Sequence, residues 1–357
     1  MPRQASGRLR RADLAAPGLT RRKAGKGFVF LDPAGKRIDE PATLNRIRAL
    51  VIPPAWIDVW ICTDPLGHVQ AMGTDARGRR QYRYHDKWRL RRDREKFAHM
   101  IEFAAALPRL RATIAEHLQH PDLDRERVLA CATRLLDLGF FRIGTEGYAE
   151  ENQTFGLATM LRRHVRVKDD VVVFDYTAKS GKRRVQAVAD PAVLEVVTAL
   201  KARTGGGKEL LAYQRESAWS DVRSTDINAY LQEVTGGEFT AKDFRTWNAT
   251  VLAAVALAVS TPARSATARK RAVARACQEV SAYLGNTPAV CRSSYIDPRI
   301  VDRYQSGITV AASLEHIGDA IEVGQPSTQG LVERAVLELL IEDSDEISGI
   351  EELLATA

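Results

Sequence analysis

Apolar and polar residues alternate in short runs between residues 28 and 75, the spacing of half-buried strands. Gly27-Phe28-Val29-Phe30-Leu31 runs into the turn sequence Asp32-Pro33-Ala34-Gly35. Trp56 to Ile61 alternates, and Asp64-Pro65-Leu66-Gly67 is a turn signal before His68 to Gly73. Thr43 to Val51 reads as a short helix that stops before Pro53-Pro54. From about Arg89 the spacing changes. Phe97, Met100, Ile101 and Ala104 recur at three and four, as do Val128, Cys131, Leu135 and Leu138, and Ala-rich stretches at 249–259 and 262–284 also read as helices. One strand pair interrupts them, Val171 to Ala178 and Arg183 to Ala189, flanking the hairpin signal Ser180-Gly181. No internal repeat is evident. The expected class is α+β: a small strand-rich N-terminal domain followed by a larger, mainly α-helical one.

Charge adds detail to this outline. Over 357 residues, 52 Lys and Arg face 45 Asp and Glu, a net charge of +7 that suits a polyanionic partner. Residues 1–27 carry eight Lys or Arg against Asp13, and residues 331–357 carry eight acidic residues against Arg334. Both ends read as solvated segments. The expected layout is a basic arm over 1–27, an N-terminal α+β domain over 28–90, a helical domain over 91–325 and an acidic segment over 326–357. Residues 77–94, RGRRQYRYHDKWRLRRDR, hold nine Lys or Arg interleaved with Tyr82, Tyr84 and Trp88. Such a mixture suits phosphate and groove contacts, and it suits equally a charged helix face around two core aromatics.

Several chemistries are absent from the sequence. The longest apolar run, Val251 to Val259, is nine residues, about half of what a membrane span needs, and no secretory signal follows Met1. Cys62, Cys131, Cys277 and Cys291 form no C-x-x-C pair, which suits a reducing cytoplasm. Gly181-Lys182 and Gly205-Gly206-Gly207-Lys208 lack the earlier glycine of a P-loop, and no G-x-G-x-x-G follows a strand. His117 and His120 have H-x-x-H spacing without further ligands nearby, and read as a surface pair. Neither a metal nor a small-molecule cofactor is expected.

What remains is a set of polar residues at element boundaries. Arg142 follows Gly139-Phe140-Phe141 at the break between two helices, the second starting near Thr145. Lys179 sits at the hairpin tip. Arg245 lies in the second turn of a helix opened by Thr240 and Asp243, a capping box. Asn286 follows the helix stop Gly285, Thr287-Pro288 starts a new helix, and Tyr295 ends it before Asp297-Pro298. Each residue alone reads as a capping or surface position.

Together they resemble the type IB DNA topoisomerases of the poxvirus-like, bacterial branch. The similar segments are GRRQYRYHDKWRLRRDREKF (78–97), FFRIGTEGYAEENQTFGLATMLRRHV (140–165), AKSGK (178–182), KDFRTWNAT (242–250) and LGNTPAVCRSSYIDP (284–298), in family order and spacing. The resemblance covers most of the chain, from about Phe28 to Tyr304. It implies a catalytic domain of the tyrosine recombinase/type IB topoisomerase type and a clamp around double-stranded DNA. It implies that Tyr295 is the nucleophile forming a 3′-phosphotyrosyl link, that Arg142 and Arg245 hold the non-bridging oxygens, and that Lys179 is the general acid for the 5′-oxygen. Asn286 stands where viral and eukaryotic relatives carry histidine; it can donate a hydrogen bond but no charge. Gln81, Tyr82 and Tyr84 would face the major groove, with Arg79, Arg80 and Arg83 toward phosphates.

Two positions depart from the family pattern, Ala178 where Gly is frequent and Asp297 where His is common. A tyrosine recombinase is the nearest alternative, but such enzymes usually carry His three residues before the second arginine, where this chain has Lys242. A DNA-binding architectural protein without catalysis is the other, and the retention of Tyr295 and its polar partners argues against it. The resemblance further implies a monomer, acting on nucleoid DNA in the cytoplasm without ATP or metal.

Overall fold

The alternating runs near the N-terminus become a five-stranded antiparallel sheet in the computed structural model. Residues 7–260, 265–317 and 329–341 are described, in two compact units that meet in sequence at Ala98 and His99. The first unit contains β1 (Leu19–Ala24), β2 (Gly27–Leu31), α1 (Pro41–Ala49), β3 (Ile57–Ile61), β4 (Val69–Thr74) and β5 (Arg80–Tyr84), with strand order β2-β1-β3-β4-β5. Leu19, Ile47, Val59, Ile61 and Ala71 form its core, with Phe30, Ile38, Leu50, Ile52 and Trp56 packed against them. The predicted turn after β2 closes through Asp32 Oδ1, which accepts from Ala34 N at 3.0 Å and Lys36 N at 2.8 Å.

The sheet starts earlier than the apolar pattern indicates. β1 lies inside the segment read as a basic arm, because Arg21 is a structural cation there. Its guanidinium donates to Pro53 O at 3.0 Å and Trp56 O at 2.7 Å and lies 4.1 Å from the centre of the Phe28 ring. The basic-aromatic cluster is likewise no single helix face. Arg80–Tyr84 is a strand, and helix begins only at Asp86. Residues 1–6 of the arm lie outside the described residues.

Helix α2 (Asp86–His117) carries the three-and-four spacing seen in the sequence, with Phe97, Met100, Ile101 and Ala104 all buried. The second unit continues with α3 (Arg125–Gly139), α4 (Glu146–Asn152), β6 (Val165–Lys168), β7 (Val171–Ala178), β8 (Lys182–Val188), α5 (Pro191–Ala202), β9 (Ala212–Arg215), β10 (Ala218–Asp221), α6 (Ser224–Thr235) and α7 (Ala241–Ala258). It ends with α8 (Ala266–Leu284), α9 (Pro288–Ser294), α10 (Pro298–Gln305), α11 (Ala311–Ile317) and α12 (Leu331–Ile341). Helices α3 and α7 are buried on most of their circumference, so they form the centre of this unit.

More strand is present than the single pair expected. β6-β7-β8 is a three-stranded sheet, and β9-β10 a two-stranded one. The short strands VRVK and AYQR are too polar to signal themselves. The segment read as an acidic tail contains α12, whose Val332, Val336 and Leu340 are buried. Its Glu333 accepts from Arg111 and, at 2.8 Å, from Trp247 Nε1. Residues 342–357 and the boundary placed at 325 lie outside the described residues.

Candidate active site

Four helix or strand ends in the second unit bring the predicted polar residues together. α3 stops at Gly139 because Phe140 takes a left-handed conformation, φ 54°, and the chain reaches Arg142 before Thr145 starts α4. The capping box at the start of α7 is formed, with Asp243 Oδ2 accepting from Thr240 N at 2.8 Å. That fixes Arg245 one turn in, where it is buried. α8 ends at Gly285, φ 65°, and Thr287 Oγ1 caps α9 by accepting from Val290 N at 3.3 Å. Asn286 fills the gap between them. Tyr295 caps the C-terminus of α9, its N–H donating to Cys291 O at 3.0 Å and its carbonyl accepting from Thr250 Oγ1 at 3.2 Å.

These ends converge on Arg142. Its Nη2 donates to Asn286 Oδ1. Arg245 donates from Nη1 to Phe140 O at 2.7 Å and from Nη2 to Leu284 O at 2.8 Å, and its Cζ lies 5.4 Å from the centre of the Tyr295 ring. Burial alone would raise the Tyr295 pKa, but the charges of Arg245 and Arg142 and their hydrogen bonds to the phenol outweigh it and bring the pKa below its ordinary value. Burial lowers Arg245 to about 10, with the Arg142 charge acting in the same direction; the guanidinium still carries its charge at neutral pH. Two buried donors, Arg245 Nε and Asn286 Nδ2, have no partner among the described residues. Such groups cost about 1–3 kcal/mol each until something accepts from them.

Beside this cluster is a cleft of about 250 Å³ lined by Arg142, Lys179, Lys182, Arg183, Arg184 and Asn286, with no carboxylate among the described lining residues. Lys179 sits at the tip of the β7-β8 hairpin. Pairing closes at Ala178 and Lys182, so the tip encloses three residues rather than two, and Ser180 and Gly181 both have positive φ, 69° and 71°. Lys179 itself is exposed and makes no hydrogen bond or ion pair among the described residues. The site can therefore bind an anion, surround it with guanidinium donors and offer it an acidified phenol and an exposed ammonium.

The predicted DNA-binding set lies in the first unit on edge strand β5 and divides by face. Arg80, Tyr82 and Tyr84 are exposed on one side, the two rings stacked with centroids 6.0 Å apart. Gln81 and Arg83 alternate to the other side. Gln81 Nε2 donates to Asp75 Oδ2 at 3.0 Å and Arg83 Nη2 to Val51 O at 2.9 Å. Arg79, in the turn before the strand, is also held by Asp75, at 2.8 Å.

Residues 85–316 match the family model described as eukaryotic DNA topoisomerase I, catalytic core, and residues 27–75 match bacterial DNA topoisomerase IB, N-terminal domain. This chain belongs to the type IB DNA topoisomerase family. DNA topoisomerase 1B of Acanthamoeba polyphaga mimivirus is 29% identical over 299 residues, 81% of this chain and 88% of that protein. DNA topoisomerase 1B of vaccinia virus (strain Copenhagen) is 26% identical over 164 residues, 44% of this chain and 51% of that one. DNA topoisomerase 1 of Daucus carota is 30% identical over 129 residues, 36% of this chain and 15% of the plant protein.

In this topoisomerase the fold gathers Arg142, Arg245, Asn286 and Tyr295 into one cluster and sets Lys179 on the adjoining cleft. The histidine pair is engaged elsewhere, His117 with the Tyr230 hydroxyl at 2.8 Å and His120 with Asp124 at 2.7 Å. Asp297, where relatives often carry His, is fully buried as the N-cap of α10 and is bound by Arg299. Three neighbours of the site gave no sequence signal: Thr250, which holds the Tyr295 carbonyl, and Arg184 and Gln186 on β8. All act through backbone carbonyls remote in sequence, which no local pattern marks.

Proposed function

We propose that this topoisomerase relaxes supercoils of either sign in double-stranded DNA through a covalent intermediate on Tyr295. The Tyr295 oxygen attacks phosphorus in one strand and gives up its proton to solvent. The phosphorus–O5′ bond breaks, and Lys179 Nζ protonates the departing oxygen to leave a free 5′-hydroxyl. Arg142 and Arg245 hold the non-bridging oxygens as charge builds on them, and Asn286 Nδ2 donates to one of them. The free end rotates about the intact strand, and the 5′-hydroxyl then attacks the phosphotyrosyl bond in reverse. One phosphoester replaces another, so resealing needs no nucleoside triphosphate. Strand β5 contributes duplex contacts through Arg80, Tyr82 and Tyr84.

The observation that carries this reading is a half-buried phenol acidified by two guanidiniums beside a cleft whose charged lining residues are all cationic. A phosphodiester supplies the acceptors that Arg245 Nε and Asn286 Nδ2 lack. We propose further a bacterial-type enzyme that works as a monomer on nucleoid DNA; the bacterial N-terminal domain match supports the first point. No helix among the described residues is long and apolar enough to cross a membrane.

The test is covalent trapping on a duplex from which the short downstream fragment, bearing the new 5′-hydroxyl, diffuses away. The wild-type protein should become linked to the 3′ end, and Tyr295→Phe should bind the same duplex without forming the adduct. An adduct on Tyr295→Phe would overturn the assignment.

A further inference from the structure

Among the described residues, it is β8 rather than the hairpin tip that bonds through side chains to the helices around the site. Ser180 and Gly181 are exposed and left-handed, and Lys179 has no partner among the described residues. Alternate residues of β8 point to the face shared with Tyr176 of β7, the register partner of Arg184. On that face two side chains reach out of the sheet. Arg184 Nη2 donates to Tyr283 O at 2.6 Å, three residues before Asn286. Gln186 Nε2 donates to Gly139 O, three residues before Arg142. Both acceptors lie in the last turn of a helix, α8 and α3, where carbonyls lack helical partners and a cation is favoured.

Arg184 is the better fitted of the two. It is half-buried, lines the same cleft as Arg142, Lys179 and Asn286, and lies close enough to Tyr176 to bond its hydroxyl. A Cβ on Gly285 would stand 2.5 Å from Arg184 Nη1, and Gly285 also has φ 65°. The turn before Asn286 is thus glycine for its backbone, and a side chain there would also push this guanidinium aside.

We propose that Arg184 is a positioning residue for the general acid, docking the Lys179 hairpin onto the C-terminus of α8 so that the ammonium reaches the leaving oxygen. The proposal rests on the reading of Lys179 as the acid. A displacement of about 1 Å in such a group can cost about 10²-fold in rate, so Arg184→Ala should slow cleavage of an ordinary phosphodiester by about that factor.

The experiment compares single-turnover cleavage of a normal duplex with that of a duplex carrying a 5′-bridging phosphorothiolate, whose sulfur leaves without a proton. Wild type, Lys179→Ala and Arg184→Ala are measured in parallel, after thermal melting shows that each variant is folded. Rescue of both variants on the phosphorothiolate to within a few-fold of wild type is the expected result. Rescue of Lys179→Ala but not of Arg184→Ala would overturn this proposal alone, because Arg184 would then act on the phosphate or on the site as a whole. Wild-type cleavage of the normal duplex by Arg184→Ala would overturn it too. No rescue of Lys179→Ala would overturn the acid assignment and the proposal with it. If Arg184→Ala does not fold, Arg184→Gln and Gln186→Leu are read by the same criteria.

Discussion

A free phenol with a pKa of about 10 is almost wholly protonated at neutral pH. At Tyr295 burial resists ionisation, but the Arg245 and Arg142 charges prevail and lower the pKa. The phenolate should therefore form at lower pH than for an ordinary tyrosine, and Arg142→Gln should move it back up. Ultraviolet difference titration of wild type and Arg142→Gln, each against its Tyr295→Phe counterpart, checks this; an unchanged titration in Arg142→Gln would contradict it. Asn286 has two atoms with separable duties. Its Oδ1 receives Arg142, while Nδ2 is buried and free among the described residues. Asn286→Asp keeps an acceptor for Arg142 but loses the donor and adds a charge beside the phosphate. If Nδ2 serves the phosphate, Asn286→Asp should cleave at least as slowly as Asn286→Leu, with losses of about 10²–10³-fold. Near-normal cleavage by Asn286→Asp would reduce Asn286 to a prop for Arg142. The candidate catalytic residues were legible only together, through the family resemblance; the caps and the hairpin signal beside them marked element ends, and Arg142 and Arg245 have no signature of their own. Thr250 was not, since its contact with the Tyr295 carbonyl spans 45 residues and depends on how α7 packs.

Edge strand β5 separates exposed from held side chains at the level of an element. Arg80, Tyr82 and Tyr84 face solvent, whereas Arg79 and Gln81 are held by Asp75. Arg80→Ala should weaken duplex binding and reduce its salt dependence by about one counterion. Gln81→Ala should leave the salt slope unchanged. Binding isotherms at several salt concentrations distinguish them, and equal slopes for wild type and Arg80→Ala would remove β5 from the phosphate contacts. The sequence named all six residues of this set but not their faces, because RQYRY contains no aliphatic residue to mark an inner side. β1 was hidden for a related reason: its Arg21 serves the fold, bonding carbonyls near Pro53. The β7-β8 hairpin was legible from its alternation and from Ser180-Gly181, whereas the docking of β8 through Arg184 was not.

Across the whole molecule, charge pattern misled where packing decided. The acidic C-terminal segment contains α12, tied to the second unit by a buried network. Arg111 donates to Asp137 at 2.9 Å and to Glu333 at 2.6 Å, and although burial opposes its charge, these two carboxylates hold its pKa above the ordinary value. Removing Glu333 leaves Arg111 with Asp137 alone and Trp247 Nε1 without its acceptor, and a buried donor left unpaired costs about 1–3 kcal/mol. Glu333→Ala should lower the unfolding free energy obtained from chemical denaturation by an amount in that range, and an unchanged value would show that this network adds little to stability. The central claim concerns the whole enzyme acting on intact DNA. It is tested most directly by incubating the protein with negatively and, separately, positively supercoiled plasmid in excess EDTA without ATP. Relaxation of both by wild type and of neither by Tyr295→Phe is the predicted result; a folded, DNA-binding wild-type protein that leaves both plasmids supercoiled would contradict the account.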